Sequence, residues 1–375
     1  MDALLISDLS AFPFSIPDTH MKPVRLLTLA LAFLLIASLR PDTASAQDYY
    51  AYVASESTDE VALIRFDGRE ATVEETVAVG NIPVETEGAH GMTVSPDGNH
   101  WFVSIAHGKP FGRVVKYETG SNAKVGSAEV GLFPATMQIS QVTGLLYVVN
   151  FNLHGERRPS TVSVVEPGSM IELDQIETGI MPHGSRLSPD NRTHYSVGMM
   201  DGTLYEIDVS TGEVTRTLKT GEGMTKPTWV QPHPDKPVAY VAHNGADEVV
   251  EVDLDAWTVT RRFETGDGTN PYNLDVTPDG QTLVVSYKGS GETGIWDLES
   301  GERQATITNT RGVSHGVVIS PDSRYAFVTA EGVGGEPGAV DIVDLETNER
   351  VASAEVGQQA GGIAFWKMEA TSAAK

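Results

Sequence analysis

The sequence predicts an all-β, seven-bladed β-propeller with four antiparallel strands per blade, and three observations predict it. A Pro-Asp turn recurs along the chain, each copy lies between short β-branched and aromatic stretches, and the copies are spaced by a blade-sized interval. The turns read SPDG from 95, SPDN from 188, HPDK from 233, TPDG from 277 and SPDS from 320. Proline presets φ, aspartate accepts a local backbone hydrogen bond, and Gly or Asn tolerates a left-handed angle. Apolar runs such as GVVI at 316–319 precede the turn and runs such as YAFVTAEG follow it, so each unit opens with a hairpin. Two further strands follow, as in GTLYEIDVSTGEVTRTLKTG at 202–221. A marker residue near the start of each first strand gives His90, Ala135, His183, Lys226, Tyr272, His315 and Gly361, at intervals of 43 to 48 residues.

Seven first strands but only six complete units follow position 90. The seventh unit begins with GGIAFWKM at 361–368 and takes its outer strands from the segment at 51–80, so strands from both chain ends close the ring. Closure leaves no innermost edge exposed. The propeller is therefore expected over 47–368, with 369–375 as a disordered tail. Ahead of it, Lys22 and Arg25 precede the apolar run 26–39, and Ala44-Ser45-Ala46 offers a small-residue cleavage site. That pattern reads as a signal peptide over 21–46 and predicts an exported, periplasmic or extracellular protein without a membrane span in the mature chain. Residues 1–20 read as a leader extension or a misassigned start.

The chain has 375 residues, no cysteine, and 26 Lys+Arg against 51 Asp+Glu, for a formal charge of -25. Without cysteine there is no disulfide framework, thiolate metal site or cysteine nucleophile. So acidic a protein repels phosphate backbones, which argues against nucleic acid as a partner. No GxxxxGK[ST] loop or HExxH occurs either. The expected partner is a small molecule or metal ion at the central channel, with a protein partner on the rim as the other reading.

Histidines concentrate where that channel should be. His90, His183 and His315 are markers on blades one, three and six, the most even three-way division that seven blades permit. Seventeen residues after the marker the chain returns to the same rim, at positions that include His107 and His243. Neutral imidazoles converging from several sides suit copper or zinc, and copper comes first because nitrogen sites favour it. The metal set is thus His90, His107, His183, His243 and His315. Glycine follows each of the three marker histidines, which would let neighbouring backbone approach closely. Lys226, Tyr272 and Glu331 are the candidate acid–base groups, with Lys288 beside them. Met199 and Met200 offer thioethers, and His154 joins the rim or caps a loop. His100, His194 and His233 fall near the opposite turns and read as surface residues.

Strings such as YVASESTDEVALIRFD at 52–67 and YVAHNGADEVVEVD at 240–253 resemble the YVTN-type repeat of secreted seven-bladed propellers. The resemblance covers about residues 48–368 and implies the fold rather than an activity. FPATMQ, MPHGSRLSPD and VSHGVVISPD are also similar to segments of copper-bearing propellers, those of nitrous oxide reductase and thiocyanate dehydrogenase. That likeness implies metal-dependent redox chemistry or metal handling, although no adjacent His-His pair and no cupredoxin domain is present. A non-enzymatic scaffold binding a protein, glycan or cofactor is the rival reading. A metal-assisted lyase or hydrolase using Glu331, Arg186 and His315 is the third.

Overall fold

The computed structural model describes residues 47–82 and 84–371. The leader segments 1–20 and 21–46 lie outside the described residues. Twenty-eight strands, numbered β1 to β28 in chain order, form seven four-stranded antiparallel sheets. Among the described residues no helix is long and apolar enough to cross a membrane.

Six blades are consecutive meanders. In the seventh, β28 (Ala360–Ala370) is innermost and pairs with β1 (Gln47–Ser55), followed by β2 (Glu60–Phe66) and β3 (Ala71–Ala78). The β1–β28 register runs from Gln47 opposite Ala370 to Ser55 opposite Ala360, so the last strand continues past 368, where the sequence suggested a tail. Residues 369 and 370 stay ordered because the first residues of β1 supply their ladder partners.

The core lies between facing sheets. Tyr52 of blade seven stacks on Trp101 of blade one, and Trp101 on Tyr117, with centroids 5.2 and 4.0 Å apart. Aromatic and β-branched residues on alternating positions fill each such wedge, the packing that a ring of half-buried sheets requires.

The innermost strands are β4 (Ala89–Val94), β8 (Pro134–Ile139), β12 (Pro182–Leu187), β16 (Pro227–Pro232), β20 (Pro271–Val276), β24 (Val313–Ile319) and β28. Before six of them stands a residue with φ between 46° and 80°: Gly88, Phe133, Met181, Lys226, Asn270 and Gln359. The left-handed residue turns the chain from the outer strand of one blade toward the hub of the next. Glycine after the marker then lets adjacent first strands nearly touch. A Cβ on Gly91 would sit 1.8 Å from the Ala135 carbonyl oxygen, and one on Gly184 2.3 Å from that of Thr228.

Candidate functional site at the propeller hub

The second residue of each of β4, β12 and β20, and the third of β24, places His90, His183, Tyr272 and His315 around the axis. The rings of His183 and His315 lie 6.0 and 5.9 Å from that of His90, centroid to centroid. Tyr272 lies between the latter two, 5.1 Å from His183 and 4.6 Å from His315. All four are buried.

Hydrogen bonds set the tautomers. His90 Nδ1 is 2.6 Å from Glu56 Oε2, and His183 Nδ1 is 3.1 Å from the Thr228 carbonyl oxygen. Both partners only accept, so each Nδ1 carries a proton. The Tyr272 hydroxyl donates to His183 Nε2 at 2.8 Å. His315 Nδ1 is buried without a partner, and its Nε2 stands 3.8 Å from Glu331 Oε1.

Electrostatics follow from burial and neighbours. Burial pushes His183 down to about 3, and repulsion from His90 adds to it. His315 is likewise pushed well down, by burial first and then by the Lys288 charge. Both imidazoles are therefore neutral at physiological pH, the form that binds metals or accepts protons. Burial raises the Tyr272 phenol. Lys288 Nζ sits 4.3 Å over the Tyr272 ring and 3.0 Å from Glu331 Oε1. Burial works to lower its pKa, but Tyr272 and Glu331 outweigh it and leave the ammonium above its ordinary value.

Glu56 links the hub to the outer rim. Burial would raise its carboxyl, but the His90 charge and hydrogen bonds from His107 and His90 overcome this and hold it far below the carboxylate range. His107 Nε2 donates to Glu56 Oε1 at 2.8 Å, and that bond raises the pKa of His107. His154 stands next in line, its ring 5.6 Å from that of His107.

Two sequence-predicted site residues do not belong to this group. Lys226 lies seven residues before the His233 that opens its turn, whereas the other markers lie five before theirs. The equivalent of His90 in blade four is Thr228, and Lys226 is the left-handed residue ahead of it. Its carbonyl accepts from Asn244 N as that of Gly88 accepts from Ala106 N. The same two-residue slip misplaces His243. The rim position is Gly245, while His243 ends β17 (Val238–His243) fully buried, its nitrogens bound to Glu248 Oε1 at 2.9 Å and Thr220 Oγ1 at 2.8 Å. With both nitrogens engaged between strands, it is structural.

His194 and His233 are also buried rather than on the surface. His194 stacks on Tyr147 with centroids 5.3 Å apart, and His233 Nδ1 accepts from the backbone of Asp235 and Lys236.

Sequence reasoning missed Glu56. The signal was present: YVASES at 52–57 aligns with YVAHNG at 240–245, which puts Glu56 at the position that Lys288 and Glu331 occupy in their blades. Among the described residues no three histidine or carboxylate side chains are already disposed about one point as a metal ion requires. An ion bound by three imidazoles at about 2.0–2.1 Å leaves ring centroids about 5.2–5.5 Å apart, so the His183 and His315 rings stand roughly half an ångström too far from that of His90.

No curated protein matches the sequence. A chain of Kuenenia stuttgartiensis hydrazine synthase shares the fold, with a TM-score of 0.60 and 21% identity over 72% of this chain and 80% of that one. As many as 1548 solved chains match, so such likeness carries architecture and not activity. A family model described as Lactonase, 7-bladed beta-propeller matches residues 193–333, in agreement with the seven blades seen here.

Proposed function

We propose that this is an exported propeller of the YVTN type whose hub imidazoles hold a transition-metal ion, copper first and zinc second, for redox chemistry on a small molecule or for metal handling. The observation that carries the reading is the direction of two protons. His90 and His183 both give their Nδ1–H to oxygen acceptors, Glu56 and the Thr228 carbonyl, so Nε2 is the nitrogen each would offer a metal, that of His183 once the Tyr272 hydroxyl turns away. Oxygen acceptors behind ligating histidines fix the tautomer and raise ligand basicity. The unpartnered His315 Nδ1 supplies a third nitrogen, and the depressed pKa values of His183 and His315 keep protons from competing.

A bound copper ion would supply one-electron chemistry. The chain's own residues would do the rest: Glu56 orients His90, and Tyr272, freed from His183 Nε2, is placed with Lys288 and Glu331 to move a proton. Ligation requires the rings to draw together by about half an ångström and the Tyr272 hydroxyl to turn away. Native protein is expected to carry about one equivalent of copper or zinc, or to take it up after chelation, and to lose it when His90, His183 and His315 become Ala. Wild type that stays metal-free on reconstitution overturns the reading and leaves a propeller that binds a partner on its rim.

The lactonase-type match supports a second reading, because residues 193–333 include Tyr272, Lys288, His315 and Glu331. A metal-assisted hydrolase would turn over with redox-inert zinc as well as with copper.

A further inference from the structure

The hub histidines are not the only polar groups that face the axis. Three residues beyond each marker the first strands form a second ring, whose polar members are Thr93, Gln138, Arg186, Gln231 and Asp275. These line a lower cavity of about 240 Å³. Arg186 lines that cavity and also the smaller one of about 30 Å³ that His90, His183 and His315 wall.

Arg186 is a cation short of partners. Its guanidinium packs 4.3 Å from the Trp229 ring centre and gives one hydrogen bond, Nη1–H to the Ser185 carbonyl at 2.9 Å. Guanidinium carries five N–H donors, so most of them remain to be used. Asp275 is the carboxylate on the same ring. It accepts from Val276 N at 2.9 Å and Ile319 N at 3.1 Å, and among the described residues no carboxylate forms an ion pair with Arg186. Burial lowers Arg186 to about 10, with Asp275 acting against it.

Around this cation lie buried polar atoms without partners. Trp229, Asn273 and His315, whose Nε1, Oδ1 and Nδ1 lack partners, wall the upper cavity, and Gln231, whose Oε1 lacks one, walls the lower. Trp229, Asn273 and His315 are only 5%, 4% and 7% exposed. Buried polar atoms are ordinarily paired, and four residues with unpaired ones bordering two adjoining cavities beside a cation with donors to spare amount to a recognition surface. The carboxamides of Asn273 and Gln231 present donors as well as acceptors after a half turn.

We propose that the floor of the hub binds a small monoanion, a carboxylate or an inorganic oxyanion of about three or four non-hydrogen atoms, held by the Arg186 guanidinium and Trp229 Nε1–H. The upper cavity sets the size, since it accommodates roughly two waters. The guanidinium fork matches two oxygens of one planar anion, and the indole N–H supplies a third contact. As an assignment of substrate class this rests on the hub being a reaction site. Anion binding itself needs no metal.

The test is titration of the chelator-treated full chain with sodium formate and sodium nitrate, followed by calorimetry and tryptophan emission. Ionic strength is held with gluconate, which is too large for the cavity. Wild type is expected to bind one or both probes saturably at one site. Arg186→Met should weaken binding at least tenfold and Arg186→Lys less, while Trp229→Phe should weaken it about fivefold and abolish the emission change. Circular dichroism checks the fold, and Trp229→Phe carries the test if Arg186→Met does not fold. No saturable uptake of either anion by wild type, or variants that bind as tightly as wild type, overturns the proposal. Anion binding without metal uptake defeats only the metal reading, and metal uptake without anion binding defeats only this site.

Discussion

Among single residues, Glu56 controls most. It accepts from His90 and His107 at once, which ties the hub to the outer rim through one buried carboxylate. Glu56→Gln should lower the pKa of His107, since the bond to Glu56 is the main cause of its elevation. A histidine titration by NMR checks this. The change should also destabilise the fold by about 1–3 kcal/mol, because a buried partner is lost.

The acid response of the metal-free protein follows from other histidines. Burial pushes His183 and His194 from 6.5 down to about 3, and His315 also moves down. Between those values the unfolded chain takes up protons that the folded chain refuses, so the contribution of these three groups is complete above about pH 6.5 and falls as pH drops toward 3. Asp275, raised by burial from 3.8 to about 6, works in the opposite sense between those values, but His154 and His233, both also lowered by burial, add to the three. The melting temperature should therefore decline steadily from pH 6.5 to 4.5. His194→Leu, which removes a stacked imidazole with two unpartnered nitrogens, should blunt that decline.

Within the strands and turns, legibility depended on how local the signal was. The Pro-Asp turns are four consecutive residues, so they placed His90, His183, Tyr272 and His315 in register, and the structure brings these side chains together. Blade four departs from the pattern, with HPDK in place of SPDG and the sequence KPTWVQP ahead of it. Taking Lys226 for its marker shifted everything by two residues and drew His243 toward the rim on paper. Side chains alternate along a strand, so a two-residue slip keeps the face but moves the depth along the axis. Glu56 escaped for a different reason: its blade is split between the chain ends, and no contiguous hairpin displays the repeat.

Glycine after the marker is an element-scale constraint that the sequence did display. Gly91→Ala places its Cβ 1.8 Å from a backbone carbonyl oxygen that cannot move without shifting a whole strand. A loss of about 3 kcal/mol or more is expected in urea unfolding. Gly335→Ala, where nothing lies within 4 Å, should change stability by less than about 0.5 kcal/mol.

The closed ring makes the fold of the whole molecule cooperative. Both termini build one sheet, with β28 between β1 and the axis, so deletion of residues 360–375 strips blade seven of its inner strand and exposes β1. The truncated chain should lose cooperative unfolding and become sensitive to limited proteolysis, whereas deletion of residues 372–375 should do neither.

The hub is where that closure meets chemistry, because only a complete ring sets blades one, three and six facing one another. The most direct measurement is an anomalous difference map from crystals of the full chain soaked in copper or zinc. One strong peak is expected within about 2.3 Å of His90 Nε2 and His183 Nε2, with a His315 nitrogen in the same shell and the Tyr272 hydroxyl turned away. A hub without a peak, its Tyr272–His183 hydrogen bond intact under saturating metal, would contradict it.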